Sequence, residues 1–306
     1  MSTDTQQANI ATKTGNSGPA FSLIIPCFNE EDSICETVDQ LLGYLADGPP
    51  YEIIVVDDGS TDASAAKLAE AVEHQPTVRV ITHPQNRGYG AALKTGIRQS
   101  QAELIVITDA DGTYPNERIP ELVALAAGAD MIVGARTGDN VQYSWLRRIP
   151  KVVLSGYAAW LARRRIPDLN SGLRVMRRGV VEKFLGILPD TFSFTTTITL
   201  AMLINFYNVQ YVPISYSKRV GRSKIKPISD TLRFFQLILR TGMYFAPLRV
   251  FFPIGLLLGC GFLASLAYDV FILRDLTEKT LLLLLFSMNT AMFALLADMI
   301  DKRVAK

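Results

Sequence analysis

The chain has 306 residues, with 31 lysines and arginines against 29 aspartates and glutamates, and a formal net charge of +2. This near-zero net charge argues against a nucleic-acid-binding protein, which would carry a broad basic excess. The mean hydropathy of +0.20 is high for a soluble enzyme, and the length allows one sizeable domain with an apolar appendage.

Residues 1–20 are polar and rich in Thr, Asn, Gln and Gly. They contain no apolar core of the kind that a signal peptide needs, and we expect them to form a disordered tail. The cysteines Cys27, Cys35 and Cys260 have no metal-ligand spacing, and we assign them no role.

Short apolar runs alternate with segments of helical length and period between residues 21 and 226. This alternation predicts an α/β fold, a mostly parallel sheet with helices on both of its faces. The predicted strands are Phe21–Ile25, Ile53–Val56, Val78–Thr82, Leu104–Thr108 and Met131–Val133, and the clearest predicted helices are Ser33–Leu45 and Ala63–Glu73.

Polar and acidic residues follow three of these predicted strands. Ligands bind beyond the carboxyl ends of the strands in sheets of this kind, so the residues predict a site at one edge of the sheet. They are Glu30 after the first strand, where it follows Pro26 and Phe28, Asp57 and Asp58 after the second, and Asp109 and Asp111 after the fourth.

The pair Asp109 and Asp111 poses a problem of charge. Residues two apart in a strand point the same way, so the two carboxylates lie close together if strand geometry persists through Ala110. Their repulsion requires a divalent cation, an arginine or lysine partner, or a shared proton. The alternative is a loop in which one carboxylate caps a turn and the other is solvated.

The segment NRGYGAALKTG, residues 86–96, follows the third predicted strand. It is not a dinucleotide-binding fingerprint, because Leu93 stands where that motif needs glycine or alanine and the segment follows the wrong strand. It predicts a glycine turn into a helix N-terminus, where backbone N–H groups and Lys94 favour an anion. The alternative is a tight turn with a solvated lysine.

Basic residues suited to phosphate follow further along the chain, because guanidinium groups match phosphate oxygens. For the basic residues other than Arg136, the alternatives are electrostatic attraction to a membrane surface or a positive flank to a membrane span. The residues are Arg136 after the fifth strand, Arg147 and Arg148 beyond it, and Arg219 and Lys224 in a basic loop over residues 217–226.

The segment DLNSGLRV, residues 168–175, begins with Asp168 in a polar turn and includes Arg174. Asp168 is a candidate for a functional carboxylate. The alternative is an aspartate that caps the turn and pairs with Arg174.

The C-terminal part predicts attachment to a membrane. Residues 227–246 form an amphipathic helix suited to the membrane interface, with packing on the globular domain as the alternative. Residues 247–306 contain two apolar stretches, Val250–Tyr268 and Thr280–Ala297, each close to the length that crosses a bilayer. Basic flanks on both sides predict a hairpin with cytoplasmic ends and an exposed turn over Asp269–Lys279; two buried core helices are the alternative.

Six motifs in order resemble one family. They are IIPCFNE, VVDDGSTD, NRGYGAALKTG, TDADGTYP, DLNSGLRV and KRVGRSK. Together they are similar to the family 2 glycosyltransferases of GT-A fold, in the branch that acts on polyprenyl phosphates. That branch includes the dolichyl-phosphate mannose synthases and the bactoprenol glucosyltransferases. The resemblance covers about Phe21 to Lys226, and the hairpin matches the bactoprenol enzymes.

The resemblance implies roles for the matching residues. Asp109 and Asp111 would hold Mg²⁺ or Mn²⁺ against the donor diphosphate, which would answer the problem of charge. Asp111, Asp168 and Arg136 would form the reacting centre. The implied nucleotide-binding residues are Pro26, Phe28, Glu30, Asp57, Asp58, Lys94 and Asp109, and the implied phosphate-binding residues are Arg147, Arg148, Arg219 and Lys224.

The expected reaction transfers glucose from UDP-glucose to undecaprenyl phosphate with inversion, at the cytoplasmic face of a bacterial membrane and from a homotetramer. GDP-mannose and UDP-linked amino sugars remain alternative donors, and Thr113 stands where mannose synthases tend to carry glutamine. A processive synthase is disfavoured because the chain lacks a Q-x-x-R-W sequence. A non-catalytic membrane adaptor or flippase subunit would leave the acidic strand ends unexplained.

Overall fold

The computed structural model describes residues 18–137, 155–216 and 227–304. Most of the predicted tail lies outside the described residues. The same is true of Arg147, Arg148, Arg219 and Lys224, so the structure reports on the acidic edge of the predicted site and not on these four basic residues.

Seven strands form one sheet in the order β3-β2-β1-β4-β6-β5-β7. All neighbouring pairs are parallel except those of β6, which runs antiparallel to both β4 and β5. The five predicted strands and the mostly parallel sheet are confirmed. The bounds are β1 Phe21–Cys27, β2 Tyr51–Asp57, β3 Val78–Thr82, β4 Leu104–Ile107, β5 Met131–Ala135, β6 Arg174–Arg177 and β7 Val209–Pro213.

Helices lie between the strands and continue beyond the sheet, and a further helical stretch covers residues 155–162. Both predicted helices are present within a few residues of their expected bounds. The helices are α1 Ile34–Leu45, α2 Ser64–Val72, α3 Tyr89–Gln99, α4 Ile119–Leu125, α5 Arg178–Glu182, α6 Phe194–Ile204, α7 Pro227–Phe245, α8 Pro247–Tyr268 and α9 Glu278–Val304.

The strands β1, β2, β4 and β5 are almost fully buried, which explains why they are largely continuous apolar runs rather than alternating ones. In β1, Leu23 and Ile25 belong to a core cluster with Val38 and Leu41 of α1. Ile24, between them, points to a second cluster that contains Leu93 of α3. Helices α1 and α3 therefore pack on opposite faces of the sheet.

The strand order places a switch point next to the predicted site. From β1 the chain builds outward through β2 and β3, and then returns to the other side of β1 with β4. Crevices form at the carboxyl edge where strand order reverses in this way. Asp109, which follows β4, therefore lies beside the loops that follow β1 and β2.

Helix α7 begins at Pro227, as predicted. Ile238 and Thr241 in its second half are buried, and a Cβ atom at Gly242 would lie 2.9 Å from Leu161 and 3.1 Å from Val250. This half therefore packs on the globular part. Its position at a membrane interface stays a prediction.

Helices α8 and α9 form an apolar hairpin. The stretches Pro247–Leu273 and Glu278–Ile300 have mean hydropathies of 2.1 and 2.0. Only 11% of the most apolar part of each stretch is buried. Leu257 and Phe271 are 74% and 79% exposed. Core helices of a globular domain would bury such side chains, so these helices are long and apolar enough to cross a membrane and are not core helices.

The predicted turn of the hairpin is exposed over residues 270–276, with one exception at its start. Asp269 is buried, and its Oδ2 accepts hydrogen bonds from the backbone N–H of Thr277 at 2.8 Å and from the hydroxyls of Thr277 and Thr280, both at 2.7 Å. The Thr280 hydroxyl also contacts that of Ser265 in α8 at 2.5 Å. A polar cluster thus joins the two helices, because backbone groups at the start of α9 need partners.

Two glycines in helices allow a matched test of packing against the sheet. A Cβ atom at Gly96 in α3 would lie 2.5 Å from Ile24 Cγ2, whereas one at Gly43 in α1 would meet no atom within 4 Å. We expect Gly96→Ala to destabilise the protein by about 1–3 kcal/mol through overpacking. Gly43→Ala should stabilise it by about 1 kcal/mol, because alanine favours helix. Thermal unfolding in detergent measures both shifts, and shifts of the same sign would contradict the predicted packing.

Candidate active site

The loops that follow β1 and β2 are tied to each other. The backbone N–H of Asn29 donates to Ser60 Oγ at 3.0 Å, and that of Glu30 donates to Ser64 Oγ at 2.9 Å. Asn29 adopts a left-handed backbone with φ of +55°, which asparagine tolerates better than most residues. These bonds hold the first two groups of predicted nucleotide-binding residues side by side.

Asp57 lies at the floor of this pair of loops. It is 1% exposed, and its Oδ1 accepts the N–H of Ser60 at 3.2 Å. Within the described part of the chain, its Oδ2 is buried and has no hydrogen-bond partner. Pro26 is buried, Glu30 is half-buried, and Phe28 is 38% exposed beside them. A buried acceptor without a donor is costly, so Asp57 has the chemistry of a ligand-binding carboxylate.

Asp58 has protein partners instead. Its Oδ1 accepts the N–H of Arg87 at 3.0 Å and its Oδ2 accepts that of Gly88 at 2.7 Å. His83 Nδ1 lies 2.6 Å from Oδ1, and His83 Nε2 lies 2.9 Å from Thr95 Oγ1. The anion that we predicted at the N-terminus of α3 is therefore matched by the protein's own carboxylate. The role of Asp58 toward a nucleotide stays a prediction.

Lys94 forms an ion pair with Asp190 at 2.7 Å. Asp190 also accepts the N–H of Ala91 through its backbone oxygen at 3.2 Å. A Cβ atom at Gly90 would lie 2.2 Å from the backbone oxygen of Pro189, so only glycine permits this contact. Lys94 thus fastens residues 189–191 to the start of α3, and its predicted contact with a nucleotide stays a prediction.

Asp109 and Asp111 are not held together by strand geometry, because β4 ends at Ile107. They lie in a turn whose next residue, Gly112, has φ of +65°. Asp109 Oδ1 accepts the Tyr89 hydroxyl at 3.0 Å. Asp111 Oδ1 accepts the Thr113 hydroxyl at 2.6 Å. Both carboxylates are half-buried at the switch point.

These two carboxylates fit a divalent cation by their chemistry. Mg²⁺ and Mn²⁺ prefer carboxylate oxygens, and a Cβ atom at Gly172 would lie 2.8 Å from Asp109 Oδ2, so glycine keeps the space beside that oxygen open. No group of three potential metal-ligating side chains occurs among the residues that the structure describes. An ion held here would therefore complete its coordination with ligand or water oxygens.

Asp168 pairs with Arg136, which follows β5 as predicted. Arg136 Nε lies 2.8 Å from Asp168 Oδ2, Nη2 lies 3.0 Å from Oδ1, and the Arg136 N–H donates to Oδ2 at 3.0 Å. Burial alone raises the pKa of Asp168, but the hydrogen bonds and charge of Arg136 outweigh it and hold that pKa below its ordinary range. Asp168 is therefore an anion that orients Arg136, whose guanidinium also lies 5.3 Å from the centre of the Tyr216 ring.

The alternative prediction, in which Asp168 pairs with Arg174, named the wrong partner. Arg174 is fully buried and donates to the backbone oxygens of Ser171 at 2.7 Å and Leu169 at 3.0 Å, and to Thr199 Oγ1 at 2.6 Å. The turn-capping part of that alternative is observed, since Asp168 Oδ1 accepts the N–H of Asn170 at 3.1 Å. Arg174 fixes the turn, and Arg136 neutralises the carboxylate.

Sequence reasoning missed three residues of the site. His83 follows β3 at the same edge as the others and is one of only two histidines in the chain, which was a usable signal. Tyr89 stood inside the glycine motif and could have been noted as its only aromatic residue. Asp190 gave no local signal, because it lies 96 residues from its partner Lys94.

The ion pair of Asp168 predicts a specific dependence on pH. Asp168→Asn should cost about 3 kcal/mol of stability near neutral pH, because it removes the carboxylate that pairs with a largely buried guanidinium. The pKa of Asp168 is below its ordinary 3.8, so the contribution is complete above that value and is lost as the pH falls below it. Urea unfolding at several pH values measures the difference from the native chain.

In that comparison, the difference should be constant from neutral pH to about pH 5 and shrink only in stronger acid. Glu121→Gln, which breaks the exposed pair with Arg118, is the control and should leave the midpoint nearly unchanged. A difference that already shrinks between neutral pH and about pH 5 would contradict the assignment.

Comparison with known proteins identifies the family of the chain. Residues 22–185 match the family described as Glycosyl transferase family 2, and residues 246–302 match the one described as GtrB C-terminal hairpin. The undecaprenyl-phosphate 4-deoxy-4-formamido-L-arabinose transferase of Pseudomonas fluorescens (strain Pf0-1) is 34% identical over 265 residues, which are 81% of this chain and 72% of that protein. The protein of the same name from Edwardsiella ictaluri (strain 93-146) is 35% identical over 54% of this chain, which spans about half of that relative's length (51%).

Solved structures share the fold. The UDP complex of glucosyl-3-phosphoglycerate synthase from Mycobacterium tuberculosis superposes with a TM-score of 0.59 at 19% identity, over 74% of this chain and 80% of that chain. The complex of that synthase with Mn²⁺, UDP and phosphoglyceric acid gives 0.58 at 19% identity, over 74% and 79%. The expected GT-A sheet with its trailing hairpin is confirmed. The chain belongs to glycosyl transferase family 2.

Proposed function

We propose that the protein transfers a sugar from a nucleotide diphosphate to the phosphate of a polyprenyl lipid. The observation that carries this proposal is the pair Asp109 and Asp111 at the switch point of a family 2 sheet, in one chain with an apolar hairpin. The acidic pair suits a diphosphate donor with its cation, and the hairpin suits a lipid acceptor. The undecaprenyl-phosphate transferases among the relatives support the same acceptor.

The nucleoside would lie against the loops that follow β1 and β2. The unpartnered Oδ2 of Asp57 supports this placement, because a base N–H or a ribose hydroxyl would supply the missing donor. Phe28, 38% exposed at the rim, offers an aromatic face. Pro26, Glu30 and Asp58 would complete the pocket.

Asp109 and Asp111 would hold Mg²⁺ or Mn²⁺, which when bound would neutralise charge on the leaving diphosphate. Glucosyl-3-phosphoglycerate synthase, which shares the fold, has been solved with Mn²⁺ and UDP. This likeness supports a cation site in the fold and not the choice of residues. Asp111 would hold the cation from the turn that contains Gly112, and its Oδ1 accepts the Thr113 hydroxyl. Thr113 thus donates a hydrogen bond to Asp111 at the position where mannose synthases tend to carry glutamine.

The acceptor needs placement more than a catalytic base. A phosphate monoester is already largely ionised at neutral pH, so its oxygen attacks C1 of the sugar directly as the bond from C1 to the diphosphate breaks. This in-line displacement inverts the configuration at C1. Arg136, oriented by Asp168, would attract the anionic acceptor. Arg147, Arg148, Arg219 and Lys224 would assist from outside the described residues.

Three candidate donors are to be distinguished. UDP-glucose is the donor that the sequence favours, and GDP-mannose is a weaker alternative. The relatives that act on a formamido-arabinose support a sugar with a nitrogen substituent as the second candidate.

The hairpin would anchor the enzyme with both ends in the cytoplasm, and a homotetramer in a bacterial inner membrane is the proposed assembly.

The test uses the full chain in detergent with undecaprenyl phosphate and Mg²⁺ or Mn²⁺. UDP-glucose, a UDP-linked amino sugar and GDP-mannose are supplied separately, and the glycosyl lipid is detected by mass. We expect transfer from a UDP-linked donor, and Asp111→Ala should lower its rate by about 100-fold or more because it removes charge stabilisation of the leaving group. Asp47→Ala, an exposed aspartate far along the chain from the motif, is the control and should retain the rate.

The outcomes separate the alternatives. Transfer from GDP-mannose alone would keep the mechanism and overturn the donor. Binding of UDP without any lipid product from these donors would sink the proposed reaction and favour a non-catalytic membrane subunit. A polymeric product would indicate a processive synthase.

A further inference from the structure

The carboxylates of Asp109 and Asp111 each accept a hydrogen bond from a hydroxyl. The Tyr89 hydroxyl, from the first residue of α3, donates to Asp109 Oδ1 at 3.0 Å. The Thr113 hydroxyl donates to Asp111 Oδ1 at 2.6 Å, and the Thr113 N–H reaches the same oxygen at 3.2 Å. A hydroxyl uses one of about four lone-pair sites of a carboxylate, so it can orient the group without excluding a cation.

Tyr89 makes two further contacts in this position. Its ring stacks on that of Phe192 with centres 5.1 Å apart and planes inclined by 17°, and the preceding Gly88 donates its N–H to Asp58. These contacts place the phenol where its hydroxyl donates to Asp109.

Gly172 also lies against Asp109. A Cβ atom there would lie 2.8 Å from Asp109 Oδ2 and 2.9 Å from Oδ1, and the Gly172 N–H donates to Tyr114 Oη at 2.6 Å. The Asp109 carboxylate therefore contacts the Tyr89 hydroxyl and a backbone position that only glycine allows. Thr113 is 2% exposed, so its hydroxyl is directed at Asp111 by packing and not by solvent.

We propose that Tyr89 and Thr113 are positioning residues that orient Asp109 and Asp111 for a divalent cation. The inference rests on the proposed function, because it presumes that these carboxylates bind the cation. Groups that hydrogen-bond to metal ligands fix ligand direction, and their loss typically costs about 10- to 100-fold in metal affinity. Tyr89 and Thr113 would then tune the cation site without touching the substrate.

The test measures Mn²⁺ affinity of the full chain in detergent with UDP present, by the electron paramagnetic resonance signal of free Mn²⁺. Tyr89→Phe keeps the ring and its stack, and Thr113→Val keeps the shape of the side chain, so each removes little more than a hydroxyl. We expect each to weaken Mn²⁺ binding by about 10-fold or more. Thr113→Ser retains the hydroxyl and should keep affinity close to that of the native chain.

Two controls separate this inference from the proposed function. Asp109→Ala should abolish Mn²⁺ binding; if it does not, the metal motif itself is wrong. Tyr44→Phe, on the exposed face of α1, should leave the affinity unchanged. If Asp109→Ala loses Mn²⁺ while Tyr89→Phe and Thr113→Val bind it as the native chain does, the positioning role is overturned and the metal motif stands. UDP affinity measured without metal should be unchanged in both hydroxyl variants, and a loss there would indicate a general structural defect that also overturns the inference.

Discussion

The carboxylate of Asp58 is the contact on which the arrangement of the site depends. It accepts the N–H groups of Arg87 and Gly88 and so joins the end of β2 to the first turn of α3. That turn carries Tyr89, whose hydroxyl reaches Asp109 beyond the end of β4. A carboxylate at a helix N-terminus is stabilised by the free N–H groups and by the helix dipole. One buried anion therefore positions a group that lies two strands away in the sheet.

Charge at the site is balanced locally rather than by one large counter-charge. Backbone N–H groups stabilise Asp58, hydroxyls stabilise Asp109 and Asp111, and a guanidinium neutralises Asp168. The partly buried ion pair with Asp168 fixes the direction of the Arg136 guanidinium, which would otherwise be flexible. Among the carboxylates of the site Asp57 differs, because its Oδ2 has no hydrogen-bond partner within the described residues. Incomplete satisfaction of a buried group is typical of a place where a ligand completes the hydrogen bonding.

Helix α6 packs on α7, and α7 packs on α8 of the apolar hairpin. Residues 189–191 are fastened to α3 by Lys94 and lead into α6. The second half of α7 packs on the globular part, and α8 begins two residues after α7 ends. The hairpin exposes apolar side chains on its outer surface, which water would not favour. A family 2 site is thereby connected, through packed helices, to a segment suited to lipid.

The sequence by itself determined the α/β class, five strands, the acidic edge, the hairpin and the family. These follow from apolar periodicity and from motifs, which depend on residues close together in the chain. It did not predict β6 or β7, because neither is a continuous apolar run: β6 contains arginine at each end, and β7 contains glutamine and ends in proline. Only the tertiary structure decided that Asp168 pairs with Arg136, that Lys94 pairs with Asp190, and that a turn and not a strand presents Asp109 and Asp111. Such partners lie 32 and 96 residues apart, and the order of strands in the sheet, which local pattern does not encode, brings them together.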